Sequence, residues 1–335
     1  MTGFGISDLS RSFVLRGLNT DLSQSLVRLS EEVVSGRSSD TTLRLNGQFS
    51  FLTQIESDLI QTEARSTALS EVALLAESQQ NALGRLVDGA DTVFGTLALA
   101  RNDAGTLDVD TLAAEARGLL DSMVSAINAN VAGRYSFSGT QVDAPPLVST
   151  DELLAELTTA ISGVTSVPDL RIAADDFFNL PGGVFETNVY QGSTQSLSPI
   201  NIGNGETVAL NMRADDPAIR DILKSVALIA VAGEPGAPLP DDALRSMIID
   251  QADEVLNARG GIIDLRAQLG FSEERIDRST TRLEAERTSL QLARSDLIGV
   301  DPFETASSLE AVRAQLETLY SVTARTQNLS LVNFL

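Results

Sequence analysis

The sequence contains no cysteine, no histidine and no tryptophan, and a single lysine, Lys224. Without cysteine there is neither a disulfide nor a thiolate nucleophile. Without histidine as well, zinc sites of the usual kind and imidazole acid–base chemistry are gone. The absence of cysteine is compatible with either side of a membrane. Aromatic residues make up only 4% of the chain, a point against a large ligand-binding core. Positive charge is scarce too: 24 basic residues, nearly all arginine, stand against 46 acidic ones, for a formal charge of −22 over 335 residues. No basic stripe shows in the sequence, so neither nucleic acid nor membrane is expected as a partner; the acidity keeps a helix-rich chain soluble. Long apolar runs are missing. The longest, Val226 to Ala232, is far too short to span a bilayer, and Met1 to Gly17 has no apolar stretch of the kind a cleaved signal needs.

What the chain does have is helical periodicity. At the C-terminal end, Asp301-Pro302-Phe303-Glu304 reads as a helix start: Asp301 caps and Pro302 suits the first turn, where its missing N–H would go unpaired. Leu309, Val312, Leu316, Leu319 and Val322 then mark one helix face. A single helix with one apolar stripe is not stable alone, because the entropy of ordering it exceeds what that stripe returns without a partner. Near the N-terminus, Leu18, Leu22, Leu26, Leu29 and Val33 form a matching stripe. Two such helices at opposite ends predict a chain that folds back on itself. Trypsin is expected to cut the soluble monomer first at Arg11, Arg16, Arg28, Arg313 and Arg325.

Between the ends, positions 69, 72, 76, 79, 83, 86, 90, 93 and 97 alternate spacings of three and four, and all but Gln79 are apolar, the pattern of a heptad-packed helix over 49–100. A turn around Gly105 follows. Asp103, Asp108 and Asp110 lack the loop spacing and terminal glutamate of a calcium site, so no metal is expected. Asp110 reads as the cap of a helix over 111–131, ended by Gly133. Tyr135 and Phe137 then alternate as in a short strand with both rings in the core, and Ser138-Gly139 turns the chain.

Composition changes at Ala144-Pro145-Pro146. Nine of the ten prolines lie from Pro145 to Pro240. This stretch reads as a self-contained α/β insert: a helix at Asp151–Ser162, strands at Phe177–Tyr190 and Ser198–Met212 with a hairpin turn at Asn204-Gly205, and a helix from Asp216-Pro217 to Val231. Asp175-Asp176 and Asp215-Asp216 are adjacent carboxylates, but in turn-like contexts without a nucleophile or base, and read as caps or solvated turns. Past Pro240, Ile262, Leu269, Ile276, Leu283, Leu290 and Leu297 recur every seven residues with mostly small or polar companions, the seam of a helix that packs against several others. Gly260-Gly261 lacks the strand and the Gly-Lys-Ser/Thr of a phosphate loop. The fold class is mainly α with an inserted α/β domain, long helical arms from both chain ends packing together. The segments are 1–45, 46–140, 141–240, 241–300 and 301–335.

Three stretches carry a family resemblance. Leu29-Ser30-Glu31-Glu32-Val33-Val34-Ser35-Gly36-Arg37, Gly133-Arg134-Tyr135-Ser136-Phe137-Ser138-Gly139-Thr140, and the closing Leu319-Tyr320-Ser321-Val322-Thr323-Ala324-Arg325 with Asn328 to Leu335 resemble the bacterial flagellin family, in its hook–filament junction branch. Tyr190-Gln191-Gly192 is a fainter echo. Where the family carries a Ser-Asp-Asp-Pro turn, this chain has Ser38-Ser39-Asp40-Thr41, which lacks the proline. The resemblance implies a structural, non-enzymatic role without a cofactor. It implies export to the extracellular flagellum without a cleaved signal, and a ring of copies of the chain itself. Hook-associated protein 1, flagellin and an export chaperone would be the other partners. Leu18, Leu22, Leu26, Leu29, Val33, Leu309, Val312, Leu316, Leu319, Tyr320, Leu331 and Leu335 would then be subunit-interaction residues. The rivals are a flagellin proper, with the same core and a different job, and a soluble coiled-coil adaptor, which would share the heptads but would need neither the insert nor apolar stripes at both ends. An enzyme housed in the insert would need a clustered acid, base and nucleophile, which the sequence does not show.

Overall fold

The structure, a computed structural model, describes residues 4–45, 49–101, 108–203 and 205–332. It divides into two compact units, residues 1–64 with 283–335, and residues 65–282.

The first unit is built on the two ends of the chain. Helix α1 (Phe4–Ser35) packs along α9 (Pro302–Val332). The sequence sets both boundaries. Asp301 Oδ1 accepts from the backbone N–H of Phe303 at 2.8 Å and of Glu304 at 3.2 Å, and Pro302 is the first residue of α9. At the other boundary, Gly36 closes α1 with φ +66°, a left-handed conformation that costs glycine little. A short α2 (Thr41–Leu45) follows, and the rest of the unit comes from the start of α3 (Phe49–Ala100) and the end of α8 (Asp241–Ile298).

The second unit holds the remainder of α3 and α8, α4 (Val109–Ile127), and the proline-rich region. All nine heptad positions of α3 from Leu69 to Leu97 are buried, Gln79 among them. On α8 the seam is buried at Ile262, Leu269 and Ile276, and α3 and α8 are tied by Arg259–Asp91 at 2.5 Å and Arg101–Asp253 at 2.9 Å. A Cβ on Gly89 of α3 would lie 2.5 Å from the Met123 methyl of α4, which would have to shift, so the Met123 side chain packs against bare backbone there.

Several sequence expectations are corrected here. Helix α4 begins at Val109 after Asp108, which accepts from the Thr111 hydroxyl at 2.5 Å, and ends at Ile127. Gly133 therefore lies in a hairpin turn rather than at a helix end. Asp103 and Gly105 lie outside the described residues. Residues 177–190 are not a strand. Phe177 and Phe178 close α6 (Val167–Asn179), and Phe185–Val189 is a π-helical turn. The reason is aromatic packing: Phe177 and Phe178 meet edge to face at 4.9 Å and Phe185 lies 5.4 Å from Phe178, a cluster that alternation along a strand would split between two faces. Asp175-Asp176 is consequently helical, and Asp175 pairs with Lys224 at 2.8 Å, which holds its carboxyl below the usual range. Asp216 does cap α7 (Pro217–Ala230), accepting from the Ala218 N–H at 3.1 Å. Strand content is small: β1 (Asn130–Val131) with β2 (Arg134–Tyr135), and β3 (Ile200–Gly203) with β4 (Glu206–Val208), each an antiparallel pair. Asn204 of the expected hairpin turn lies outside the described residues. The 141–240 region does not stand apart as a self-contained body. Helix α7 packs along α4, with α5 (Thr150–Ala160) and α6 beside them, so insert and helical body share one core.

Candidate assembly site

Two constellations place the residues that the sequence singles out. The first is the terminal helix pair. Leu29 of α1 and Leu309 and Leu316 of α9 are buried, and Leu22, Leu26, Val312 and Leu319 are half-buried. Leu18, Val33 and Tyr320 are exposed, so they lie at the margin of the pair rather than in its seam. The Leu331 side chain and the whole of Leu335 lie outside the described residues. The pair is locked where the chain leaves α1. Arg37 and Gly299 form an antiparallel bridge, with Ser38 N–H donating to Ile298 O at 2.8 Å and Val300 N–H to Gly36 O at 3.1 Å. Glu32, only 5% exposed, accepts from the Ser39 N–H at 2.9 Å and lies 3.6 Å from Arg28. The Arg44 guanidinium donates to Leu297 O at 3.1 Å. This proline-free turn is thus held by a carboxylate and a backbone clasp.

A second apolar stripe, not among the expected subunit-interaction residues, lies on the other side of α1. Phe13, Val27 and Val34 fall on a seven-residue spacing, roughly opposite Leu22 and Leu29 at about 100° per residue. All three are exposed, Val34 at 84%. The seven-residue spacing is visible in the sequence. On α9, Phe303 is 82% exposed and Tyr320 is exposed as well. The helix pair therefore buries one apolar seam and presents apolar residues on further faces, as interaction surfaces do.

The second constellation is the 133–140 motif. Ala132 and Gly133 make the turn of the β1–β2 hairpin, both at positive φ, and Asn130 Oδ1 accepts from the Gly133 N–H at 3.0 Å. Phe137 is fully buried, whereas Tyr135 is half-exposed, so one ring enters the core and not two. Strand β2 stops at Tyr135 because the backbone beyond it bonds elsewhere. Gln79 of α3 donates to Ser136 O at 2.7 Å, Ala214 N–H to Phe137 O at 3.0 Å, and Ser193 N–H to Ser138 O at 2.9 Å. The one polar residue in the α3 heptad is thus the group that holds the motif. Thr140 closes the set, its N–H on Gln195 O at 3.0 Å and its hydroxyl on the Ser193 hydroxyl at 2.8 Å. The Arg134 side chain is half-buried beside the turn.

Tyr190-Gln191-Gly192 belongs to the same structure. Tyr190 donates its hydroxyl to Ser193 O at 2.8 Å, and burial, with the Asp215 carboxylate nearby, pushes its phenol well above the usual range. Arg213 braces the loop with a two-pronged pair to Asp215, at 2.7 and 2.9 Å, and a bond to the Ser196 hydroxyl at 2.8 Å. Gly139 has φ +61°, and a Cβ there would run into the Gln195 carbonyl and come within 2.7 Å of Ser193 O. Gly139→Ala is expected to lower the stability of the 65–282 unit by about 3 kcal/mol, strain and clash together. Urea unfolding followed by circular dichroism measures it.

No metal-ligating cluster of acidic residues occurs among the described residues, and none of their helices is long and apolar enough to cross a membrane. The class is a mainly α chain whose two terminal helices pair into one arm, with a clasped joint and a motif that anchors an insert to the helical body. Residues 249–335 match the family model of the bacterial flagellin C-terminal helical region. No curated protein matches the chain. Among solved structures it is similar to a putative flagellar hook-associated protein from Vibrio parahaemolyticus, at 16% identity, covering 73% of this chain and 95% of that one with a TM-score of 0.48. It is also similar to Bacillus cereus FlgL, at 14% identity, covering 72% and 98% with a TM-score of 0.49.

Proposed function

We propose that the chain is a structural subunit of the bacterial flagellum, of the hook-associated protein 3 kind. It would form a ring with copies of itself, joining the hook, through hook-associated protein 1, to the flagellin filament, with no catalytic role. The observation that carries this reading is the terminal helix pair, of which α9 lies within the region that matches the flagellin model: one seam closed, apolar residues exposed on the remaining faces. In the ring those faces would be covered by neighbouring subunits, forming the inner tube, while the long helices of the body form the layer outside it. The five segments bounded at 45, 140, 240 and 300 would divide the work between the polymerising ends, the helical body and the insert. Export through the flagellar apparatus would take the chain with its ends opened, in the care of a chaperone. Arg16, Arg28, Arg313 and Arg325 are exposed along the helix pair, in keeping with early tryptic cleavage there.

A flagellin proper is the second reading, because the matching family model is that of flagellin. The Gly-Arg-Tyr-Ser-Phe-Ser-Gly-Thr motif, with the anchoring role it has here, and the ending Asn-Leu-Ser-Leu-Val-Asn-Phe-Leu favour the junction. Electron microscopy of cells lacking the gene, with an assay of flagellin in the medium, separates them. Bare hooks with shed flagellin are expected. Hooks without shed flagellin would make the chain the filament protein, and normal filaments would overturn both readings.

A further inference from the structure

On α8, away from the terminal pair, Leu256, Ile263 and Phe271 are exposed, at 43%, 40% and 68%, with the exposed Gly260 and Ala267 between them. Spacings of four, three, four and four put all five on one side of the helix, and small residues between large ones are the holes and knobs of a helix–helix contact. The same side continues through Arg275, Arg278 and Arg282, with Glu274 beside them and Asp264 at the edge of the apolar half. These three guanidinium groups and Glu206 line a groove of about 580 Å³ beside the β3–β4 hairpin.

The hairpin is seated by other bonds. The Ser279 hydroxyl donates to Ile202 O, and one Arg275 nitrogen to Thr207 O at 2.8 Å. The carboxylates close by hold the arginines loosely: Glu206 is 3.8 Å from Arg282 and Glu274 is 3.7 Å from Arg278, against 2.7 Å in the Arg213–Asp215 pair. Three forked cations with two slack carboxylates leave a surplus of donors, in a chain that is otherwise strongly acidic.

We infer that this ridge, apolar in its first half and basic in its second, is a docking surface for a carboxylate-bearing helix face of a second copy of the chain. Charge complementarity selects the occupant. A chain with 46 acidic residues repels its own copies unless a cationic patch meets an acidic one. A basic patch is not its own complement, so the contact is head-to-tail, the kind that propagates into rings or filaments. The inference deepens the assembly role proposed above and rests on it for the polymer, yet it uses a face outside the terminal helices.

The absence of cysteine makes the test clean. Ala267→Cys, carrying a benzophenone maleimide, is photolysed in the purified full chain at rising concentration, and the products are mapped by mass spectrometry. A crosslinked pair is expected, joining Ala267 of one copy to an acidic, exposed helix segment of another outside 256–282. Arg278→Glu with Arg282→Glu is expected to lower the yield about tenfold. The neutral Arg278→Gln with Arg282→Gln lowers it less, and salt weakens the contact in the parent. No crosslinked pair, a yield that ignores both double variants, or capture of the same ridge on the second copy overturns the inference. The hook phenotype can stand while this crosslink fails, and the reverse, so the two readings fail separately.

Discussion

Phe137→Ala is expected to destabilise the 65–282 unit by about 3–5 kcal/mol, the range for deleting a fully buried aromatic ring. Phe137 is fully buried, and its carbonyl accepts from Ala214, next to the loop that leads into α7. The cavity would therefore open where the hairpin, α3 and the insert meet. Urea or thermal unfolding of the full chain measures the loss, and Tyr135→Ala is the control: its half-exposed ring should cost about 1 kcal/mol or less. Equal losses in the two variants would contradict the anchoring geometry. Gln79→Leu isolates the polar part, since it leaves the buried Ser136 carbonyl without its side-chain donor, at about 1–3 kcal/mol.

The second large effect concerns assembly. Leu29→Asp with Leu316→Asp places two carboxylates in the closed seam of the terminal pair, where both residues are only 8% exposed. Burying an unpaired charge is strongly unfavourable, so the pair should open and the concentration needed for polymerisation should rise at least about a hundredfold. Unfolding of the 65–282 unit should be unchanged, because neither position belongs to it. Val34→Asp probes the outer face instead. With 84% of Val34 exposed, the monomer should keep its helix pair and stability while polymer formation still falls. Sedimentation of each variant against the parent reads both effects. A Val34→Asp chain that polymerises normally would remove the outer stripe from the assembly surface.

Much of this was legible in the chain alone, for identifiable reasons. The α3 heptads predict burial at each of the nine heptad positions from 69 to 97, because a regular three–four alternation over so many turns admits only one buried face. Asp301-Pro302 located the start of α9, since capping and proline both act locally. The misreadings share a cause as well. Phe177-Phe178 and Phe185 resemble strand residues by propensity, but Ser166 and Pro168 start a helix upstream and the rings of all three pack into one cluster, which a strand would split. Tyr135 and Phe137 alternate like strand neighbours, but bonds to the backbone of Ser136, Phe137 and Ser138 from the Gln79 side chain and from the Ala214 and Ser193 N–H groups end the strand between them, and no local pattern announces partners so far away in sequence. Gln79 was visible as the polar exception in an apolar series. A buried glutamine in a heptad raises the question of what it bonds, and the answer was the motif that carries the family resemblance. The clasp at Gly36–Ser39 and Ile298–Val300 could not be read at all, because it joins turns from opposite ends of the chain.

The central claim is one of place: a subunit that sits between hook and filament. Ile172→Cys, on the exposed side of α6, gives the otherwise cysteine-free chain a single thiol. Cells carrying that variant as their only copy, treated with gold-conjugated maleimide and compared with the parent strain by electron microscopy, show where the chain lies. Gold confined to one band at the hook–filament boundary is the predicted result. Gold along the length of the filament, or none on the flagellum, would contradict it.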